Sequence, residues 1–127
     1  MDAKTPPPRK VTRAKRRGAT ASRRRGGSEL EMLAAQAASA ARMLKLLGNE
    51  NRLLILCSLA VQGEMKVGDI VEAVGLSQSA LSQHLALLRA DGLVAFRRES
   101  QTLYYRVSDP RAARILKLLK DIYCGDL

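Results

Sequence analysis

Two cysteines, Cys57 and Cys124, are the residues of this 127-residue chain best suited to covalent chemistry. Cys57 lies within an apolar run, where a cysteine is typically a small buried apolar side chain. Cys124 comes directly before Gly125 near the end of the chain, so we expect its thiol to be accessible. The negative partial charge of a helix C-terminus does not favour a thiolate there. From the residues alone, the pair can therefore be inert or redox-active.

A second group of candidate residues lies between Leu76 and Arg89. Ser77 is a good N-cap for a helix, and three leucines follow it at spacings of four and three, as on a buried helical face: Leu81, Leu85 and Leu88. The opposite face carries polar side chains that can hydrogen-bond to base edges in a DNA major groove: Gln78, Ser79, Ser82, Gln83 and Arg89. Any surface helix can have a polar outer face, so the neighbouring elements decide between the two interpretations.

A shorter helix is predicted directly before this one. Ile70, Val71 and Val74 are spaced to form one apolar helical face. Gly75 can end that helix because glycine adopts the left-handed conformation at little cost. Two helices joined by a short turn that contains glycine are typical of a helix-turn-helix motif. The second helix would then enter the major groove.

The residues after Gly92 predict a β-hairpin, because β-branched and aromatic side chains flank a polar tip, Glu99-Ser100-Gln101. Arg97 and Arg98 stand beside this tip, and we expect them to contact DNA together with Gln101. A helix-turn-helix followed by a basic hairpin is a winged helix. The predicted fold class is therefore mainly α with a small β-hairpin wing.

Three further helices are predicted from their caps and apolar periodicity. The first covers Glu29–Leu47, and the second lies between Asn49 and Gly63. The last begins at Asp109-Pro110, an N-cap followed by proline at the first helical position, and it has one apolar face: Ile115, Leu118, Leu119 and Ile122. The first and last helices have more apolar surface than the small motif can cover, so they are buried either within the chain or in a dimer.

The net charge of +10 is concentrated at the N-terminus. Residues 1–28 contain ten Lys or Arg and one acidic residue, a formal charge of +9, whereas residues 29–127 carry +1. We expect residues 1–28 to be a disordered basic arm, which either contacts DNA phosphates or is dispensable, and residues 29–127 to form one domain. The sequence has no apolar run long enough to span a membrane and no secretory signal pattern. The expected location is therefore cytoplasmic, where permanent disulfides are rare.

Residues 43–124 resemble the ArsR/SmtB family of small dimeric bacterial repressors. The resemblance rests on L-G-N-E-N-R-L-L-I-L at 46–55, L-S-Q-S-A-L-S-Q-H-L-A-L-L-R at 76–89, D-G-L-V at 91–94 and Y-Y-R-V at 104–107. It implies a homodimer that binds double-stranded operator DNA. The candidate DNA contacts are Ser77, Gln78, Ser79, Ser82, Gln83, His84, Arg97, Arg98 and Gln101.

One branch of this family senses persulfide and other reactive sulfur, and it represses sulfide-detoxification genes. That branch has one cysteine in the helix before the motif and another near the end of the last helix, and this chain matches both positions with Cys57 and Cys124. The resemblance implies that persulfide links the two through a disulfide or polysulfide bridge and releases DNA. A thiolate can attack sulfane sulfur, and a second thiol can resolve the product.

Metal sensing is the nearest alternative. Metal sensors of the family carry C-x-C at the start of the first motif helix, where this chain has Lys66-Val67-Gly68, or ligands that include histidine on the last helix, which has none. Two cysteines and the single His84 could not fill a four-ligand zinc site within one chain, so no metal or cofactor is expected. A constitutive DNA-binding protein with inert cysteines is the other alternative. The sequence contains no phosphate loop, no paired-carboxylate motif and no nucleophile with its base, so nothing in it indicates an enzyme.

Overall fold

The structure is a computed structural model that describes residues 27–125. The predicted basic arm lies outside this range except for its last two residues. The described residues form five helices and three strands: α1 (Ser28–Leu47), α2 (Glu50–Gln62), β1 (Met65–Lys66), α3 (Val67–Val74), α4 (Gln78–Ala90), β2 (Val94–Glu99), β3 (Thr102–Val107) and α5 (Pro110–Cys124). The mainly helical winged-helix fold predicted from the sequence is confirmed.

The chain divides into two units, residues 1–41 and 42–127. In the first unit, the described residues form the beginning of α1, and its large apolar side chains Leu30, Met32 and Leu33 are exposed. Of the helices in the described range, none is long and apolar enough to cross a membrane.

The helix ends follow the cap residues that the sequence indicates. The Asn49 side chain accepts a hydrogen bond from the backbone N–H of Arg52 at 3.0 Å, and Arg52 Nε donates to the Leu46 carbonyl at 2.9 Å. The same arginine therefore closes the end of α1 and the start of α2. At the start of α5, the Asp109 carboxylate accepts from the Arg111 N–H at 2.8 Å, which satisfies a donor that the helix itself leaves unpaired.

Mostly aliphatic side chains from the end of α1, from α2 to α5 and from the sheet form the core of the second unit. This composition agrees with a chain that has no Trp and a single Phe. The largest fully buried side chains are Ile55, Leu56, Leu59, Ile70, Leu81, Leu88, Leu93, Val94 and Leu116.

The sheet has three antiparallel strands in the order β1-β3-β2. The hairpin of β2 and β3 was predicted, whereas the two-residue strand β1 was not. β1 pairs Met65 with Tyr105 and Lys66 with Tyr104, so it holds the middle of β3 beside the start of α3.

Helix α5 differs from its predicted apolar face. Its buried side chains are Ala112 and Leu116, whereas Leu118 and Ile122 are 57% and 62% exposed. Periodicity correctly predicted that this helix has an apolar stripe. The stripe is wide, however, and only the edge that contains Ala112 and Leu116 faces the core. The remaining apolar surface of α5 is uncovered in the single chain.

Candidate nucleic-acid interface and thiol pair

Helices α3 and α4 form the predicted helix-turn-helix. Gly75 follows α3 with a φ of 75°, and its N–H donates to the Val71 carbonyl at 2.9 Å, so it ends the helix in the left-handed conformation. The Ser77 hydroxyl then accepts a hydrogen bond from the Ala80 N–H at 3.1 Å and caps α4. The turn between the helices is therefore fixed by one glycine and one serine.

The polar face of α4 lies opposite its buried leucines, as predicted. Leu81, Leu85 and Leu88 are buried, while the polar side chains that we expect to read bases are all exposed: Gln78, Ser79, Ser82 and Gln83. Residues four apart are neighbours on a helix surface, so these side chains form two adjacent pairs. The face can present several hydrogen-bonding groups to a groove at once.

Ser77 stabilises α4 through its N-cap hydrogen bond, and removal of its hydroxyl tests this role. We expect Ser77→Ala to lower the free energy of unfolding by about 1 kcal/mol, the usual cost of losing a serine N-cap. Ser82→Ala is the matched control, because Ser82 is exposed in the middle of α4 and alanine is a good helix former. Urea unfolding followed by circular dichroism measures both. Equal effects of the two variants would contradict a specific capping role.

His84 lies between the two faces of α4. Its side chain is half-buried, and it follows Leu81 and precedes Leu88 by about one turn, so it borders the core rather than the polar face. This position suits a residue that orients the helix or reaches a phosphate at its edge. Within residues 27–125, no three His, Cys, Asp or Glu side chains gather so that they could hold a metal ion.

The two arginines beside the wing tip occupy opposite faces of the hairpin. Arg97 pairs with Tyr104 across the strands, and Arg98 pairs with Leu103, while successive side chains on a strand point to opposite faces. Gln101 lies in the two-residue tip next to Ser100, whose φ is 58°. The structure therefore does not place Arg97 and Arg98 as a joint basic patch.

Arg97 is held by two carboxylates and a ring. Its guanidinium donates to both oxygens of Glu64 at 3.0–3.2 Å and to Glu99 at 3.3 Å, and it lies 4.5 Å from the centre of the Tyr104 ring. The hydrogen bonds from Arg97 lower the pKa of Glu64, and those to Glu64 raise the pKa of Arg97. Glu64 was not predicted from the sequence as part of this site, because it lies 33 residues before Arg97, its partner.

Arg89 connects the reading helix to the wing. Its guanidinium lies 4.4 Å from the centre of the Phe96 ring, which in turn packs at 5.3 Å against Tyr105. The cation–π contact draws this arginine from the end of α4 towards β2. Arg89 therefore contacts the wing from the end of α4, in addition to the polar-face position that the sequence indicates.

The two thiols lie on helices that pack against each other, although they are far apart in the sequence. Cys57 is half-buried on α2, which packs against α5, and Cys124 is the exposed last residue of α5. Burial raises the pKa of the Cys57 thiol, and the negative charge of nearby Cys124 raises it further. Both cysteines are free. The structure thus brings together an accessible thiol and a half-buried one on two packed helices.

Comparisons with known proteins agree with this architecture. Residues 49–95 match the family model of the bacterial regulatory proteins of the arsR family. The chain is 45% identical over 95 residues to the transcriptional activator HlyU of Vibrio cholerae, and this match covers 75% of this chain and 87% of that protein. It is 54% identical over 87 residues to the nodulation protein NolR of Rhizobium meliloti, covering 68% and 70% of the two chains.

A solved structure also matches. The crystal structure of the transcriptional repressor BigR from Xylella fastidiosa has a TM-score of 0.68 and 36% sequence identity, over 74% of this chain and 95% of that one. The family model covers the helix-turn-helix described above and extends to the start of β2. The chain therefore belongs to the ArsR family of bacterial regulatory proteins and is a DNA-binding transcriptional regulator.

Proposed function

We propose that the protein is a homodimeric repressor of sulfide-detoxification genes, which binds operator DNA through α4 and the wing and releases it when persulfide links Cys57 to Cys124. The observation that carries the proposal is that the two thiols lie on helices that pack against each other, and the effect of Cys124 on the pKa of Cys57 supports it. The other half of the proposal is supported by the exposed polar face of α4.

The chemistry begins at Cys124 because its thiol is exposed, whereas Cys57 is half-buried with a raised pKa. The Cys124 thiolate attacks the sulfane sulfur of a low-molecular-weight persulfide, RSSH, and forms a Cys124 persulfide while RS⁻ leaves as the thiol after protonation. Cys57 then attacks the Sγ of this persulfide, and a disulfide forms as hydrosulfide leaves. The two thiols are oxidised, and the sulfane sulfur is reduced to sulfide.

A longer bridge follows from the same reactions. If both cysteines become persulfides, attack of one on the other gives a trisulfide and one hydrosulfide. The additional sulfur atom relaxes the narrow distance range of a direct disulfide. Each protomer consumes one persulfide molecule for a disulfide or two for a trisulfide and then stops, so the protein acts as a stoichiometric sensor rather than as an enzyme.

Helix α2 can transmit a conformational effect of the bridge to the DNA-binding elements. Helix α2 carries Cys57 and leads through Gly63 into β1 and α3, while α5 carries the second thiol. A covalent link between α2 and α5 stabilises one relative position of these helices. Oxidation lowers DNA affinity only as far as it favours a conformation that binds DNA poorly.

The homodimer is supported by apolar surface that the single chain leaves uncovered. Leu118, Ile122 and Tyr123 on α5 are exposed, and so are Leu30 and Leu33 on α1. A cluster of exposed apolar side chains such as that on α5 marks an interaction surface. A dimer would also present two α4 helices to successive major grooves, about 34–36 Å apart on B-DNA.

The reading role of α4 has its own test. We expect Gln83→Ala to lose about 1–3 kcal/mol of discrimination at particular base pairs, because a glutamine can form two hydrogen bonds to an adenine edge. Gln62→Ala is the matched control, since Gln62 is an exposed glutamine at the end of α2. Selection from a randomised DNA pool, followed by competition binding, measures the preference. An unchanged preference in Gln83→Ala would contradict the assignment of this face.

The persulfide response is tested by intact mass and DNA binding on the same sample. We expect treatment with glutathione persulfide to give the mass of a bridged protomer and to release a DNA duplex that was selected with the reduced protein. Reduction by dithiothreitol should reverse both effects. A protein alkylated beforehand controls for sulfur added elsewhere. A bridged protein that still binds DNA as tightly as the reduced one would support constitutive binding, and release by zinc or arsenite instead would support metal sensing.

A further inference from the structure

The outer face of the wing carries two glutamates among its basic side chains. Arg97, Tyr104 and Glu99 occupy this face of the hairpin, because residues paired across the strands share a face. Glu64 joins them from the residue before β1, and its pKa is also lowered by the charge of Arg106. Lys66, Arg97 and Arg106 therefore share this face with two glutamates, where a basic wing would be expected to show only positive charge.

Arg98 has a different environment from Arg97. It lies on the other face of β2 near the tip and is exposed. Considering only residues 27–125, it takes part in no ion pair with a carboxylate. Of the two arginines that the sequence assigns to DNA contact, only Arg98 has its full charge available to a phosphate.

The contact between Glu64 and Arg97 is specific in geometry but open to solvent. Two guanidinium nitrogens reach the carboxylate at 3.0–3.2 Å, and the side chains of Arg97 and Glu64 retain 47% and 35% of their exposure. Exposed ion pairs contribute little to stability, since water screens them and two side chains lose freedom. A phosphate can therefore compete with Glu64 for the same guanidinium.

We propose that Glu64 restrains DNA binding by holding the Arg97 guanidinium against Tyr104, away from the DNA backbone. This inference rests on the proposed use of the wing as a backbone contact. When the protein docks, Arg97 must exchange a carboxylate for a phosphate, and the Glu64 charge left behind still repels the DNA. Glu64 is then a determinant of affinity rather than of sequence preference, because phosphate contacts carry no sequence information directly.

Removing the charge of Glu64 while keeping its shape tests this directly. We expect Glu64→Gln to bind about three- to tenfold more tightly, both to a selected duplex of about 30 base pairs and to a scrambled duplex of the same composition. The slope of log affinity against log salt should become steeper by up to about 0.9, the value for one additional phosphate contact. Fluorescence anisotropy over a salt series measures both quantities.

Two variants separate release of Arg97 from the general loss of one negative charge. Glu50→Gln makes the same charge change at the opposite end of α2, where Glu50 is exposed, and we expect it to change affinity by less than Glu64→Gln. In an Arg97→Ala background, Glu64→Gln should lose most of its effect. Arg97→Ala alone should weaken binding less than Arg98→Ala, because the charge of Arg97 is already shared with carboxylates.

The possible results separate this inference from the proposed function. Unchanged or weaker binding by Glu64→Gln, with Arg98→Ala weakened as expected, would overturn the restraint alone. A wild-type protein that does not bind either duplex would overturn both proposals. An equal gain from Glu64→Gln with and without Arg97 would also overturn the restraint. If Glu64→Gln fails to fold, as judged by thermal unfolding, Glu64→Asp keeps the charge but shortens the side chain, and its binding should lie between wild type and the expected gain.

Discussion

Cys57→Ser and Cys124→Ser will each bind operator DNA in the reduced state and will each fail to release it on persulfide treatment. Wild-type protein treated in the same way should bind about tenfold or more weakly, because regulatory coupling between two sites is typically worth about 1–3 kcal/mol. The reason is that the bridge needs both thiols: one accepts the sulfane sulfur and the other displaces it. Cys124 is exposed, and Cys57 is only half-buried against the core, so serine, which is close in size to cysteine, should leave both variants folded.

The two single variants should differ in the product they accumulate. In Cys57→Ser, the exposed Cys124 should keep its persulfide, visible as one added sulfur atom in the intact mass. In Cys124→Ser, the half-buried Cys57 should react slowly, and its rate should rise with pH, because its raised pKa leaves little thiolate at neutral pH. Equal rates for the two remaining thiols would show that exposure and pKa do not set the order of the steps.

Position on the helix provides the matched control. Cys57→Ser combined with Ser58→Cys keeps two thiols but moves one by about 100° around α2, where Ser58 is also half-buried. We expect this double variant to remain insensitive to persulfide, since its thiol no longer faces Cys124 in the same way. If either single variant still releases DNA as the wild type does, a switch that needs both cysteines is refuted.

The features that the sequence predicted well are those determined by neighbouring residues. Asn49, Ser77 and Asp109 each cap the helix they were expected to cap, because a cap depends on one side chain and the next three N–H groups. Gly75 likewise ends α3 with a positive φ. The buried leucines of α4 follow from helical periodicity alone.

The features that were missed depend on contacts between distant segments. β1 is only two residues long, and it exists because β3 offers it a partner edge. The Glu64 contact to Arg97 joins residues 33 apart, which no local pattern reveals. The opposite orientation of Arg97 and Arg98 could have been predicted, because adjacent strand residues alternate in face. Similarly, an apolar stripe on α5 could not indicate which of its edges the core would use.

The thiol pair illustrates the same limit. Sequence spacing says nothing about the approach of Cys57 to Cys124, and the expectation of a pair came from the family resemblance. In the structure, their proximity follows from the packing of α2 on α5. Family membership and this packing together explain why a cysteine in an apolar run is a candidate for chemistry rather than only a core residue.

Ile122→Glu will convert the proposed dimer to a monomer and will lower operator affinity by about a hundredfold or more. Ile122 is 62% exposed in the single chain, so a glutamate there leaves the protomer core intact. In a dimer that buries this face of α5, the same glutamate would be an unpaired buried charge. Loss of the second α4 helix then removes the avidity of two linked half-sites, which is worth a factor of about 10²–10⁴.

Ala113→Glu is the matched control for this variant, because Ala113 is also exposed on α5 and lies nine residues earlier, about half a turn around the helix from Ile122. We expect Ala113→Glu to sediment as a dimer and to bind DNA like the wild type, whereas Ile122→Glu should sediment as a monomer at the same concentration. A circular dichroism spectrum like that of the wild type would show that Ile122→Glu is folded. Its melting temperature should also no longer depend on protein concentration, since that dependence arises from subunit association. If Ile122→Glu remains dimeric, the uncovered apolar surface of α5 is not the dimer interface, and two-site DNA binding must depend on another face.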